Sequence, residues 1–452
     1  MPELDRAEAV IIGGGVVGCA IFRKLSLAGL KPLLLEAGRD ILSGASKGNS
    51  AILHTGFDAP ADSLELSCMQ AGYREYMAIH HRLNLPLVET GALVVAWNDE
   101  QQAKLPGIVA HAHRNGVGDV SLISAAQLRQ REPLLAAHAR GAVFVPGEHV
   151  IDPWSAPLAY ALQGIAHGGR IRRDCLVTGG LHAGSGWSLE TPRGRISADI
   201  VINAAGNHGD EIEAICRPSP FTIAPRKGQF VVFDKSAVGL VKSIILPVPT
   251  ERTKGTVICR TAFGNLLVGP TAEDQQDRDR ADVDEATLRM LVAKGVELVP
   301  GLAHVGVNAI YAGLRPATQF KDYQISVQPD RQWITVAGIR STGLTGSLGI
   351  AAHVAGLYSR HFRPIEDAAP IWTPVPNICE ERPRPYLTEQ GGDILCHCEW
   401  VTRGEIEAAL AGPLPAGDIG GLKRRTRAMM GRCQGFYCSA QVMALAEGKL
   451  EP

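Results

Sequence analysis

The chain has 452 residues, a formal net charge of −1, 45% hydrophobic residues and 50 glycines. That length accommodates about two to four domains, and the balanced charge gives no footing for a nucleic-acid or anionic-membrane partner. No apolar run of about 18 residues reads as a membrane span, and the acidic start MPELDRAEA lacks the segments of a secretory signal. The expected location is therefore cytoplasmic, where clustered cysteines favour metal binding over disulfides.

The first predicted elements are an apolar strand from Ala9 to Ile12, an amphipathic helix ending near Ala28, and a second strand from Pro32 to Leu35 that ends in Glu36. Between the first strand and the helix, Gly13, Gly15 and Gly18 keep the G-x-G-x-x-G spacing. In this strand–turn–helix context Gly13 permits the turn, Gly15 lets the backbone approach a pyrophosphate, and Gly18 allows close helix–strand packing. The helix N-terminus offers free N–H groups to phosphates, and Glu36 stands where a carboxylate accepts from ribose hydroxyls. Two later stretches have the same strand-then-glycine character: ADIVINAAGNHGDEI, with Gly206, and WITVAGIRSTGLTGSLGIAAHVAGL, with Gly338. Three such junctions predict one nucleotide-binding sheet assembled from distant segments. FAD and NAD both fit this reading. The intervening TGALVVAW, RKGQFVVFD, GTVICR, NLLVGPT and YQISVQ predict a second, mainly antiparallel sheet inserted into the first unit.

After Glu36, the stretch GASKGNSAILHTGFDAPADSLELSCMQAGYREY resembles the flavin-binding segment of the glycine-oxidase/D-amino-acid-oxidase superfamily. RKGQFVVFD, YAGLRP and GIRSTGLTGSLGIAAH follow in the expected order, and within the superfamily the chain resembles glycerol-3-phosphate dehydrogenase/oxidase-like and L-2-hydroxyglutarate dehydrogenase-like flavoproteins. The resemblance spans roughly residues 8 to 360 and implies non-covalent FAD. It implies cofactor contacts from Ser46, Asn49, Ser50, Gly343, Leu344, Thr345 and Gly346 in addition to Gly13, Gly15, Gly18, Glu36, Gly206 and Gly338. His54, in AILHTGFD, matches the active-site histidine of the glycerol-3-phosphate-oxidase-like members, and a neutral imidazole suits proton removal from an alcohol. Arg315, in YAGLRPAT, matches a position that holds substrate anions, as a guanidinium fork does. Lys254 is expected to bind a substrate phosphate, and Ser347 to lie with the GLTGSLG backbone at the flavin pyrimidine edge. Arg340 departs from the acidic or small residue of the glycerol-phosphate branch and favours a second anionic group on the substrate.

Residues 364–385 are proline-rich and read as an extended linker. Beyond it TRGEIEAALA has helical spacing, with Thr402 and Glu405 at the positions of a capping box. A module this small needs a staple, and Cys396, Cys398, Cys433 and Cys438 provide one. Zinc sites space paired cysteines by two to four residues, whereas here His397 alone separates the first pair. The pattern resembles a bacterioferritin-associated-ferredoxin-like [2Fe–2S] domain, with zinc and free thiols as the alternatives. The basic run GLKRRTRAMMGR is either a solvated face or a set of charges that stabilises the cluster.

The expected fold class is α/β: a Rossmann-like FAD-binding domain (1–85, 148–220 and 305–365) with an inserted antiparallel β-rich substrate domain (86–147 and 221–304). A linker (366–390) and a small α-helical iron–sulfur domain (391–452) complete it. The expected function is an FAD-dependent dehydrogenase of a small anionic substrate, glycerol 3-phosphate first and 2-hydroxyglutarate next. Its electrons would leave through the [2Fe–2S] cluster to a one-electron acceptor, a ferredoxin-like protein or a quinone-linked partner. An amine dehydrogenase and an electron-transfer subunit of a larger complex are the alternatives.

Overall fold

The computed structural model describes residues 3–249, 255–388 and 392–450. Strand Glu3–Ile12 runs parallel to Leu33–Leu35 on one side and to Gly194–Asn203 on the other. It is apolar without alternation over Ala9, Val10 and Ile11 because both of its faces are covered, and these three residues are fully buried. Strand Trp333–Ala337 continues the parallel order beside the end of Gly194–Asn203. Helix Val16–Leu27 packs Phe22 and Leu25 onto Ile11 and Leu34, and helices Ser155–Ala166 and Gly343–His361 close over them with Tyr160 and Val354. The three predicted strand–glycine junctions therefore open on one edge of one sheet, at the carboxyl ends of its strands, where open α/β sheets bind ligands.

Two sequence expectations change here. YQISVQ forms Gln324–Gln328, which pairs antiparallel with Trp333–Ala337 and so belongs to the first sheet. The short Pro329–Arg331 turn, closed by left-handed Gln332, leaves room only for a hairpin. Conversely, Val307–Thr318, grouped with the first unit from sequence, pairs antiparallel with Ile223–Phe233 in the second sheet. That second sheet is otherwise as expected. It is antiparallel except where Ile244–Pro247 lies parallel to Ala92–Ala96, and helices Asp99–Arg114 and Glu285–Leu298 cover opposite faces.

The proline-rich segment is extended, as its composition predicts, but it is laid along the body rather than hung from it. Ala368 N–H donates to the Leu27 carbonyl at 2.7 Å and Val375 N–H to Leu83 at 3.1 Å, and Arg382 donates to the Asn84 carbonyl at 2.9 Å. Val375, Ile378 and Cys379 of this strap are buried against the body. The C-terminal module that follows holds a two-stranded hairpin, Ile394–Cys396 with Val401–Thr402, and helices Arg403–Ala409, Ile419–Thr426 and Ser439–Ala446. The Thr402–Glu405 capping box forms as read from the sequence.

The module is seated on the body by charge. Arg425 spans both oxygens of Asp40, a fully buried carboxylate in the loop just after Glu36, with Nη2–Oδ1 at 2.9 Å. Gly417 and Gly421 permit this approach, because a Cβ at either would collide with the Arg39 carbonyl or the Asp40 carboxylate. Breaking a buried pair of this kind by removing one partner costs about 3–5 kcal/mol. The basic run is therefore a docking element: Arg424 donates to the Ile41 carbonyl at 3.1 Å, and Arg432 pairs with Asp234 at 3.1 Å. Arg427 pairs with Glu399 at 3.1 Å and lies 4.2 Å over the Phe263 ring.

Candidate active site and cluster-binding module

The glycine-rich turn has the geometry its spacing implies. Gly13 sits at φ +111°, and a Cβ there would run into the Ala204 carbonyl that ends the neighbouring strand. A Cβ at Gly18 would run into the Gly13 carbonyl, so the helix can lie this close only without one. Glu36 is buried, and its two carboxylate oxygens accept the N–H groups of Gly14 and Gly38, each at 2.7 Å. Burial pushes its pKa up, and those two N–H groups pull it back. The segment after it folds over the start of the helix. Ser46 Oγ accepts the Val16 N–H at 3.0 Å and comes within 3.1 Å of where a Gly15 Cβ would be. Asn49 braces that turn through the Ser46 carbonyl at 3.1 Å and the Ala51 N–H at 2.8 Å, with Ser50 between. Tyr311 of the second sheet donates to the Asn49 carbonyl at 2.7 Å, so the two sheets meet over this turn.

His54 follows on the short strand Ile52–Leu53. Its N–H donates to Thr345 Oγ1 at 3.0 Å, which ties it to the first turn of helix Gly343–His361. Its Nδ1 lies 2.7 Å from Oε2 of Glu148, a wholly buried side chain with no counterpart in the sequence reading. Gly343, Leu344, Thr345 and Gly346 form the helix N-terminus next to it. Ser347 is fully buried and donates its hydroxyl to the Leu344 carbonyl at 3.1 Å. Arg340 donates to the Lys321 carbonyl. Lys254 lies outside the described residues.

Arg315 projects from Val307–Thr318 directly across the strand pair from Arg226. Its guanidinium donates to the Thr271 carbonyl at 3.1 Å and the Lys227 carbonyl at 3.4 Å, and among the described residues no carboxylate pairs with it. Burial, reinforced by the charge of Arg226, lowers its pKa to about 10, so it remains a cation whose charge is poorly compensated. An anion bound there would relieve both penalties.

In the module the thiols come in two pairs. Cys396 meets Cys438, and Cys398 meets Cys433. No three His, Cys, Asp or Glu side chains among the described residues converge as a mononuclear metal site requires. The Cys433 thiol is pulled down by the N–H groups of Tyr437, Gly435 and Phe436. Cys438 is pushed up to about 12, chiefly by burial and then by Cys396.

The FAD dependent oxidoreductase family model matches residues 8–357. The chain belongs to the FAD-dependent oxidoreductase family. A BFD-like [2Fe-2S] binding domain model matches residues 394–447, so this family member also carries an iron–sulfur module. The chain is 30% identical over 452 residues to a glycerol 3-phosphate dehydrogenase of Caloramator mitchellensis, covering 98% of this chain and 94% of that protein. It is 26% identical to a glycerol 3-phosphate oxidase of Mycoplasma pneumoniae, covering 78% of this chain and 95% of that one. The solved structure of dithionite-reduced L-alpha-glycerophosphate oxidase from Mycoplasma pneumoniae, with FAD bound, superposes with a TM-score of 0.77 at 25% identity. That match covers 83% of this chain and all of the other.

The residues present fit both groups. Each Glu36 oxygen accepts one N–H and keeps a further lone pair, which is what two ribose hydroxyls need. Gly13, Gly14 and Gly15 put no side chain of their own beside the helix N-terminus, which leaves the backbone open to the approach of a pyrophosphate. Two facing thiol pairs match a cluster whose two irons each take two thiolates, and the N–H groups aimed at Cys433 suit its negative charge. No helix among the described residues is long and apolar enough to cross a membrane.

Proposed function

We propose that the chain oxidises the secondary alcohol of a small anionic substrate, glycerol 3-phosphate first and 2-hydroxyglutarate or a similar 2-hydroxy acid next. The first sheet would carry the flavin, and the second would shape the substrate pocket. Bound FAD takes up a hydride, and a bound [2Fe–2S] cluster carries electrons singly to a ferredoxin-like or quinone-linked acceptor. The chain's own residues supply the rest. Arg315 binds the anionic end of the substrate, and His54 receives the hydroxyl proton on Nε2, the ring nitrogen that Glu148 does not use. The observation that carries this reading is Arg315: a half-buried cation held by two backbone carbonyls, opposite a second arginine, with no described carboxylate to neutralise it.

Anaerobic mixing with polyol phosphates, 2-hydroxy acids and amino acids tests it. Glycerol 3-phosphate should bleach the flavin at the lowest concentration, and Arg315→Ala should raise that concentration by about 10- to 100-fold, the worth of a charge-assisted bidentate contact. Bleaching by amino acids alone, or an Arg315→Ala protein with native substrate dependence, would overturn the proposal.

A further inference from the structure

Strand Ile52–Leu53 runs antiparallel to His149–Ile151, with Leu53 opposite His149. One step further along the same register, His54 comes opposite Glu148, which is 94 positions away in the chain. The Glu148 carboxylate is fully used by one dipeptide. Oε1 accepts the Thr55 N–H at 2.6 Å and the Thr55 hydroxyl at 2.8 Å, and Oε2 lies 2.7 Å from His54 Nδ1. Burying a carboxylate at 0% exposure is costly unless every oxygen is matched, and here every oxygen is.

We propose that Glu148 is a positioning residue for His54, holding the proton on Nδ1 so that Nε2 presents its lone pair to the substrate hydroxyl. The inference rests on the reading of His54 as the base. Thr55 supplies both donors to Oε1, so the remaining oxygen needs a donor from the ring, and only the Nδ1–H tautomer provides one. Rotating the ring would forfeit that bond. When Nε2 takes the proton, the O–H bond breaks and the ring becomes a cation; the freed electron pair forms the second C–O bond as the C–H bond breaks, its hydride going to the flavin that the first sheet would hold. A carboxylate 2.7 Å away stabilises that cation, as in other carboxylate–histidine pairs.

Among the described residues, the titratable groups coupled to Glu148 are Tyr73 and His149, with Glu89 and Asp119 around them. Tyr73 donates to the Gly147 carbonyl at 2.8 Å, and its phenol is pushed up to about 12, by burial first and then by Glu148. His149 stacks on Tyr73, and burial holds its pKa below the usual histidine value. Glu89 acts by charge on both Tyr73 and His149, and Asp119 on Tyr73. Glu148 is the carboxylate hydrogen-bonded to the His54 ring.

The test uses full-length holoprotein labelled with ¹⁵N-histidine. Native His54 should be the Nδ1–H tautomer when neutral, and Glu148→Gln should lower its titration midpoint by about 1–2 pH units, since a nearby negative charge is lost. The Glu148→Gln protein should also reduce its flavin at least about tenfold more slowly at neutral pH, with substrate affinity changed less than about threefold, and Glu148→Asp should recover part of the rate. An unchanged midpoint in Glu148→Gln, or an Nε2–H tautomer in the native protein, would overturn the pairing. The native tautomer can be read even if the variant fails to fold. A His54 variant that reduces flavin at the native rate would overturn the base itself, and with it the catalytic meaning of the pair.

Discussion

His54→Asn slows substrate-driven flavin reduction by about 10²- to 10⁴-fold while FAD remains bound, which is the loss expected when a positioned general base is removed. Binding should survive because the side chain is not part of the glycine-rich turn. The residue's tie to Thr345 also runs through its backbone N–H at 3.0 Å. Asn is a cleaner replacement than Ala. Its amide can still donate to Glu148, whereas Ala strands a buried carboxylate oxygen at a cost of about 1–3 kcal/mol and confuses chemistry with stability. Anaerobic stopped-flow absorbance at the flavin band reads the rate directly. A native rate in both variants would make the histidine structural.

Replacing any one of Cys396, Cys398, Cys433 or Cys438 with Ser removes the cluster, because metal binding and folding are coupled in a module this small. Substrate-driven flavin reduction should stay within about twofold of native, and transfer to a one-electron acceptor should fall to background. The module's seat on the body gives these variants a graded structural outcome. Leu395, Val401, Ile406, Leu422 and Val442 form a small core of their own. Arg425 with Asp40 and the strap over Leu27 and Leu83 still hold the module in place. Cys396 and Cys438, each 1% exposed, are part of that core, so their variants should lose more protease resistance than those of half-buried Cys398 and Cys433. Iron and sulfide analysis with limited proteolysis checks both halves. Undiminished one-electron transfer from an iron-free variant would show that electrons leave by another route.

How much of the molecule is legible in the sequence follows from how local each feature is. The strand–Gly13–helix unit and the Thr402–Glu405 capping box are each written within a few residues, and both are found in the structure. The extended state of the proline-rich segment is legible from composition. Its path across Leu27 and Leu83 is not, because composition says nothing about which surface a strap meets. The basic run reads equally as a solvated face or a cluster partner. Its role as a clamp depends on Asp40, 385 positions before Arg425, and no spacing rule connects the two. Glu148 is invisible for the same reason: only the antiparallel register of Ile52–Leu53 with His149–Ile151 sets it opposite His54. Which atom Ser347 bonds is equally outside the motif: its hydroxyl goes to the Leu344 carbonyl of its own helix.

The central claim is that electrons taken from an anionic alcohol at the first two sheets leave through the C-terminal thiols. Low-temperature EPR of the anaerobic holoprotein after addition of glycerol 3-phosphate alone tests it most directly. The account predicts a reduced [2Fe–2S] signal that is absent before substrate, absent in every one of the four cysteine variants, and much slower to develop in His54→Asn. Flavin that bleaches fully in iron-replete protein while the cluster stays EPR-silent would contradict it.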